Sequence, residues 1–249
     1  MESPAISLKA EQIFHLGGFP VTNTLLLGVL VAATLIIGAI LLKRRLALVP
    51  RGAQNVFEFL IEGVLGLMDA ALGDRRKSEK YLPLVGTIFL FVLCSNWFGL
   101  IPGVGSFIVK EGAEHVPLLR SPGSDLNFTL ALAIIAVVAI NLFGIIAIGF
   151  AAHAKKFFNF SGPIEFFIGI LEFISEIARM VSFSFRLFGN VLAGEVLLTI
   201  IAFLVPYVAP VPFLMLELFV GFIQALIFGM LALVFVAIAI TEHGAEATH

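Results

Sequence analysis

The chain has 249 residues, of which 60% are apolar and 13% charged, with a formal net charge of −2. So little polar surface cannot clothe a soluble protein of this size, so lipid must cover much of it. A near-zero charge without basic clusters among aromatics excludes a nucleic-acid partner. The single cysteine, Cys94, excludes an internal disulfide framework; inside an apolar run it reads as a small buried hydrophobe.

Glu2, Lys9, Glu11 and His15 precede the first apolar stretch, unlike the basic start of a cleavable signal peptide. Three apolar runs are long enough to cross about 30 Å of hydrocarbon: Val21–Leu42, Leu82–Pro102 and Leu126–Ala152, none with a charged side chain. Lys43, Arg44, Arg45, Arg51, Arg75, Arg76, Lys77 and Lys80 lie between the first two runs, and Lys155 and Lys156 follow the third. The N-terminal segment offers only Lys9, and the second connection only Lys110 and Arg120. The positive-inside rule therefore predicts an outside N-terminus, a cytoplasmic first connection and a cytoplasmic C-terminus.

That first connection contains an amphipathic pattern over Ala53–Leu72. Phe57, Leu60, Ile61, Val64, Leu67 and Met68 form one stripe, and Gln54, Glu58, Glu62 and Asp69 another. The pattern predicts a helix lying in the membrane interface. Its acidic stripe is a solvated face or, alternatively, a contact for a protein partner.

From Pro163 to Phe203 the pattern is helical and apolar but carries Glu165, Glu172, Glu176, Arg179, Arg186 and Glu195. Such a helix, roughly 60 Å long at 1.5 Å per residue, cannot stand upright in one bilayer and must tilt strongly. Pro206, Pro210 and Pro212 predict a break, and Phe213–Ile240 forms a second long helix carrying only Glu217 as a charge. The expected fold is an all-α integral membrane protein forming a single membrane domain over residues 1–249. It comprises three transmembrane helices, one interfacial helix and a strongly tilted two-helix hairpin.

Ionisable groups within membrane helices are costly and so mark function or pairing. Glu172, Glu176 and Arg179 have helical-neighbour spacing and read best as an ion-pair cluster. Arg186 lies deeper, with no acid three or four residues away, and Asn190 shares its face one turn on. In an antiparallel hairpin, Arg186 faces Gln224 and Glu195 faces Glu217, since both pairs centre on 205–206, at Pro206. One level then carries Arg186 with amides and the other two carboxyls. Glu195, nine residues beyond Arg186, points about 180° away from it, toward a cavity behind.

At these residues a family resemblance emerges. Ser182–Glu195, SFSFRLFGNVLAGE, resembles the signature of subunit a of F-type ATP synthases, and FIQALIF around Gln224 is similar to that family's final helix. SNWFGLIPG at Ser95–Gly103 and SDLNFTLALA at Ser124–Ala133 resemble its second and third spans. The resemblance implies a proton-translocating stator in a bacterial inner membrane, with two offset half-channels against a c-ring. It also implies a hetero-oligomeric complex with b-type peripheral-stalk subunits. Arg186 would face the c-subunit carboxylate, flanked by Asn190 and Gln224. Glu195 and Glu217 would serve the outer half-channel, with Ser182 and Glu172 at the inner one. Met180 stands where many relatives have proline, so a kink there is not carried over. No cofactor, metal or bond chemistry of the chain's own is implied.

A stand-alone proton-coupled transporter is the rival reading, but internal repeats in matching halves are absent. An intramembrane enzyme lacks motif support: neither HExxH nor GxSxG occurs. His15, His115, His153, His243 and His249 fall in expected loops or termini.

Overall fold

A computed structural model describes residues 9–44, 46–47, 49–101, 104, 108–111, 114–157 and 162–241. Of the residues named above, Glu2, Arg45, Pro102, Gly103, His243 and His249 lie outside these. The chain opens with an antiparallel ribbon, β1 (Gln12–Leu16) and β2 (Phe19–Thr22). Gly17 and Gly18 close its two-residue turn with φ of 57° and 91°, the positive values such a turn requires. Then come α1 (Asn23–Arg44), α2 (Ala53–Leu72) and α3 (Arg75–Gly99). A second ribbon, β3 (Ile108–Glu111) and β4 (Glu114–Pro117), precedes a 3-10 turn at Pro122–Ser124. The chain continues through α4 (Leu126–Ile148), α5 (Phe150–Phe157), α6 (Pro163–Leu204) and α7 (Pro210–Thr241).

Five of these helices, α1, α3, α4, α6 and α7, are long and apolar enough to cross a membrane. Helices suit that setting because each satisfies its own backbone hydrogen bonds without water. The fold is helical, as expected, with two short ribbons added in its connections. They occupy the connections before α1 and α4, where alternation within short segments competes poorly with long apolar runs as a signal.

Several boundaries also move. Helix α3 begins seven residues before the apolar run, inside the charged turn Arg75–Lys80. Asp74 caps it, accepting from the Arg76 amide at 2.9 Å. Hydropathy reports where hydrocarbon can begin, whereas charged residues do not stop a helix. The third run divides at Gly149 (φ 88°), so α4 ends there and His153 belongs to the separate α5. Its Nε2 lies 3.0 Å from Asn141 Oδ1, so His153 is not in a loop. Pro210 and Pro212 sit in the first turn of α7 rather than before it, where the missing amide protons would have had no helical partner anyway. The turn between α6 and α7 holds Pro206 and Tyr207, whose φ of 81° is left-handed.

The core lies among α3, α4, α6 and α7, with Tyr81, Val85, Phe89, Ile140, Phe183, Phe228 and Leu233 buried. Phe183 packs against Phe228 in a tilted arrangement, with 4.8 Å between ring centres. Ala133, Ala136, Ala225 and Ala232, all fully or nearly fully buried, permit close backbone approach. Against this bundle α2 packs Val64, Leu65 and Met68. The predicted polar stripe of α2 needs correction: Gln54 is buried, where its Nε2 donates to Ala47 O (2.9 Å) and Glu58 Oε1 (2.7 Å). Phe59 and Leu67, by contrast, are exposed.

Candidate functional site

The polar side chains of α6 divide by direction. Ser182, Phe185, Arg186, Gly189, Asn190 and Ala193 form an exposed strip. Opposite it, Phe183, Ser184 and Leu187 are buried against the bundle, with Ser184 Oγ 3.0 Å from Thr129 Oγ1 on α4. A 3.6-residue repeat places these two sets on opposite faces of one helix. Arg186 makes no ion pair or hydrogen bond with any of the described residues, and a Cβ added at Gly189 would meet none of their atoms within 4 Å. Near the start of α6, Arg179 bonds Glu176 (3.1 Å) and Glu172 (3.4 Å) and lies over the Phe235 ring. Glu172 is therefore part of an ion-pair cluster and distant in sequence from the groups around Arg186.

Two contacts set α6 against α7. Asn190 Nδ2 donates to Gln224 Oε1 at 2.7 Å. One turn further along, the Glu217 carboxylate lies directly against the backbone of buried Gly194, where any Cβ would collide with it. Gln224 thus meets Asn190 rather than Arg186, one turn from the expected facing position. Glu217 lies at the level of Gly194, the residue before Glu195.

Behind the exposed strip lies a cavity of about 270 Å³, walled by α3, α6, α7 and the segment 117–121. Asn190, Glu195, Glu217 and Gln224 all line it; Arg186 does not. The cavity brings together four of the residues singled out from sequence and leaves Arg186, Ser182 and Glu172 outside.

It also contains groups that sequence reasoning missed. Arg120, only 7% exposed, donates from Nε to Glu195 Oε1 at 2.8 Å. Asn96 on α3 donates to Gly221 O at 3.1 Å, and Trp97 Nε1 to Leu218 O at 3.0 Å, tying α3 to α7 beside the cavity. Asn96 Oδ1, Glu195 Oε2 and Gln224 Nε2 are buried without a hydrogen-bond partner among the described residues. Unsatisfied polar atoms around a roomy cavity are the setting in which water is held. One signal could have flagged Arg120: it is a cation in a connection that the positive-inside rule assigns to the outside.

Fold and site together define a multi-pass membrane protein whose helix bundle holds a largely apolar cavity containing two carboxyls, an arginine and side-chain amides. The family model described as ATP synthase A chain matches residues 24–237, and the chain belongs to that family. Among its relatives is the ATP synthase subunit a of Moorella thermoacetica, 32% identical over 95% of this chain and 99% of the relative. That of Campylobacter jejuni strain 81-176 is 41% identical over 86% of this chain and 89% of the relative. That of Campylobacter fetus subsp. fetus is 36% identical over 94% and 95%.

Proposed function

We propose that this chain is the proton-translocating stator of a rotary ATP synthase, seated in a bacterial inner membrane beside a c-ring and held by b-type stalk subunits. The observation that carries the reading is Arg186, exposed and unpaired among the described residues on a face bordered by Gly189 and Ala193. A lone guanidinium on a membrane helix is expensive unless an anionic partner arrives from outside the chain. A carboxylate on a passing c subunit is such a partner, and the small residues admit its helix closely.

The mechanism follows from charge. Arginine remains protonated at any accessible pH. Beside it an arriving carboxyl is driven to release its proton, because the nearby cation favours the ionised form. A carboxylate leaving for lipid must first take up a proton. Two offset water paths then make rotation the route between them, and Arg186 bars direct leakage. The cavity supplies the outer path, in which Glu195 and Glu217 hand protons toward Asn190 and Gln224. Ser182 and Glu172 line the inner path. Helix α6, 42 residues or about 63 Å long, lies steeply tilted to follow the ring. The N-terminus is outside and the C-terminus cytoplasmic, and α2 rests in the cytoplasmic interface. Nucleotide chemistry belongs to other subunits, and a stand-alone transporter finds no favouring observation.

The test is Arg186→Ala in the assembled complex. Proton-driven ATP synthesis should vanish while the complex still assembles. Synthesis near the wild-type rate would overturn the stator reading.

A further inference from the structure

We propose that Arg120 is a positioning residue for the outer proton path: it anchors one oxygen of Glu195 and so fixes the carboxyl in the wall of the cavity. The inference rests on the proposed role of Glu195 and Glu217. Three observations carry it.

The first is the division of the Glu195 carboxylate. Oε1 accepts from Arg120 Nε at 2.8 Å, whereas Oε2 is buried without a hydrogen-bond partner among the described residues. Thr199 Oγ1 spends its proton on the Glu195 carbonyl (2.7 Å), so it does not compete for the side chain. Held at one oxygen, the carboxylate loses rotational freedom, and Glu195 lines the same cavity as Glu217 and Gln224.

Rigidity of the loop that delivers the guanidinium is the second. A Cβ placed on Gly99 would lie 2.6 Å from Ser121 Cβ, and one on Gly123 would lie 2.8 Å from Val191 Cγ2. The segment therefore sits tightly against both α3 and α6. At its far end Asp125 accepts from Thr24 Oγ1 on α1 at 2.9 Å and from the Asn127 amide at 2.9 Å. Arg120 Nη1 also donates to Lys9 O at 3.3 Å, tying in the N-terminal segment. A guanidinium presented by a clamped loop can hold a carboxylate in one geometry; a free surface arginine cannot.

Charge is the third. Arg120 cannot carry the proton itself, because a guanidinium does not deprotonate. With Glu195 and Glu217 it forms a group that is neutral when the two carboxyls share one proton. At a partly buried site, one mobile proton held against one permanent cation is less costly than two uncompensated carboxylates.

The experiment uses inverted vesicles carrying the assembled complex and measures proton flux with assembly checked in parallel. Variants are Arg120→Met, which keeps bulk, Arg120→Lys, which keeps charge, Glu195→Gln, and Glu195→Gln combined with each. Arg120→Met should lower flux roughly ten- to a hundredfold, as misplacement of a reacting group does. Arg120→Lys should recover part of that loss, which a packing role would not predict. Either double variant should be little worse than Glu195→Gln alone. Full flux in Arg120→Met, no better flux in Arg120→Lys, or additive losses would each overturn the assignment. Should Arg120→Met fail to assemble, the Arg120→Lys and Glu195→Gln cycle decides alone by additivity. Undiminished flux in both Glu195→Gln and Glu217→Gln would overturn the outer path itself. Loss there with full flux in Arg120→Met overturns only the role of Arg120.

Discussion

Asn190 on α6 donates a 2.7 Å hydrogen bond to Gln224 on α7, joining the chain's two longest helices at a point next to the cavity. The bond satisfies only one end of the Gln224 amide, since its Nε2 is buried without a partner among the described residues. The amide therefore holds the helix register while its second end stays buried in the wall of the cavity. Asn190→Ala should destabilise the hairpin by about 1 kcal/mol, in the range of interhelical hydrogen bonds in membranes. Asn190→Leu with Gln224→Leu should cost less than the two singles added, because the pair removes both partners. Equilibrium unfolding of the complex in mixed detergent checks both.

The same register predicts cross-links. In a background with Cys94→Ser, cysteines at 190 and 224, or at 194 and 217, should oxidise to disulfides within the membrane. Positions more than three turns out of register, such as 182 and 217, should not, because disulfides require Cα atoms within about 7 Å. Mobility on gels after mild oxidation reads the result, and efficient linking only at the displaced pair would refute the packing.

Gly194 predicts a steric effect on a charged group. Its Cα carries no side chain because the Glu217 carboxylate occupies that space. Gly194→Ala should push Glu217 off its position and lower proton flux severalfold without preventing assembly. Adding Glu217→Ser should remove the clash, so the second change costs less flux on top of Gly194→Ala than it does alone. Flux measurements on the four combinations check this.

Glu195 and Glu217 line one cavity from adjacent helices, and groups that act together are non-additive when removed. Glu217→Gln and Glu195→Gln should each slow proton translocation, with the double variant little worse than the poorer single. Glu217→His should retain more activity than Glu217→Gln, because imidazole exchanges a proton near neutral pH. Strictly additive losses in vesicle pumping would reject a shared relay.

The sequence by itself determined the five long helices, because hydropathy and a 3.6-residue repeat are local properties written in consecutive residues. Pro163 and the apolar run after it place the start of α6 at the residue where it is found and its end within one residue. The two faces of α6 were legible for the same reason: nine residues separate Arg186 from Glu195, and the helix places only the second in the cavity. Proline chemistry read less well, since Pro210 and Pro212 fit a helix's first turn as readily as a break. Only the tertiary structure decided which polar groups meet. Arg120 and Glu195 lie 75 residues apart in the chain, with no repeat or spacing linking them. Asn96 and Gly221 are separated by 125. Such contacts arise where α3, α6, α7 and a clamped loop converge. Their register depends on packing volumes at Gly99, Gly123, Gly194 and Gly221, where close approach is set by the partner rather than by the local sequence.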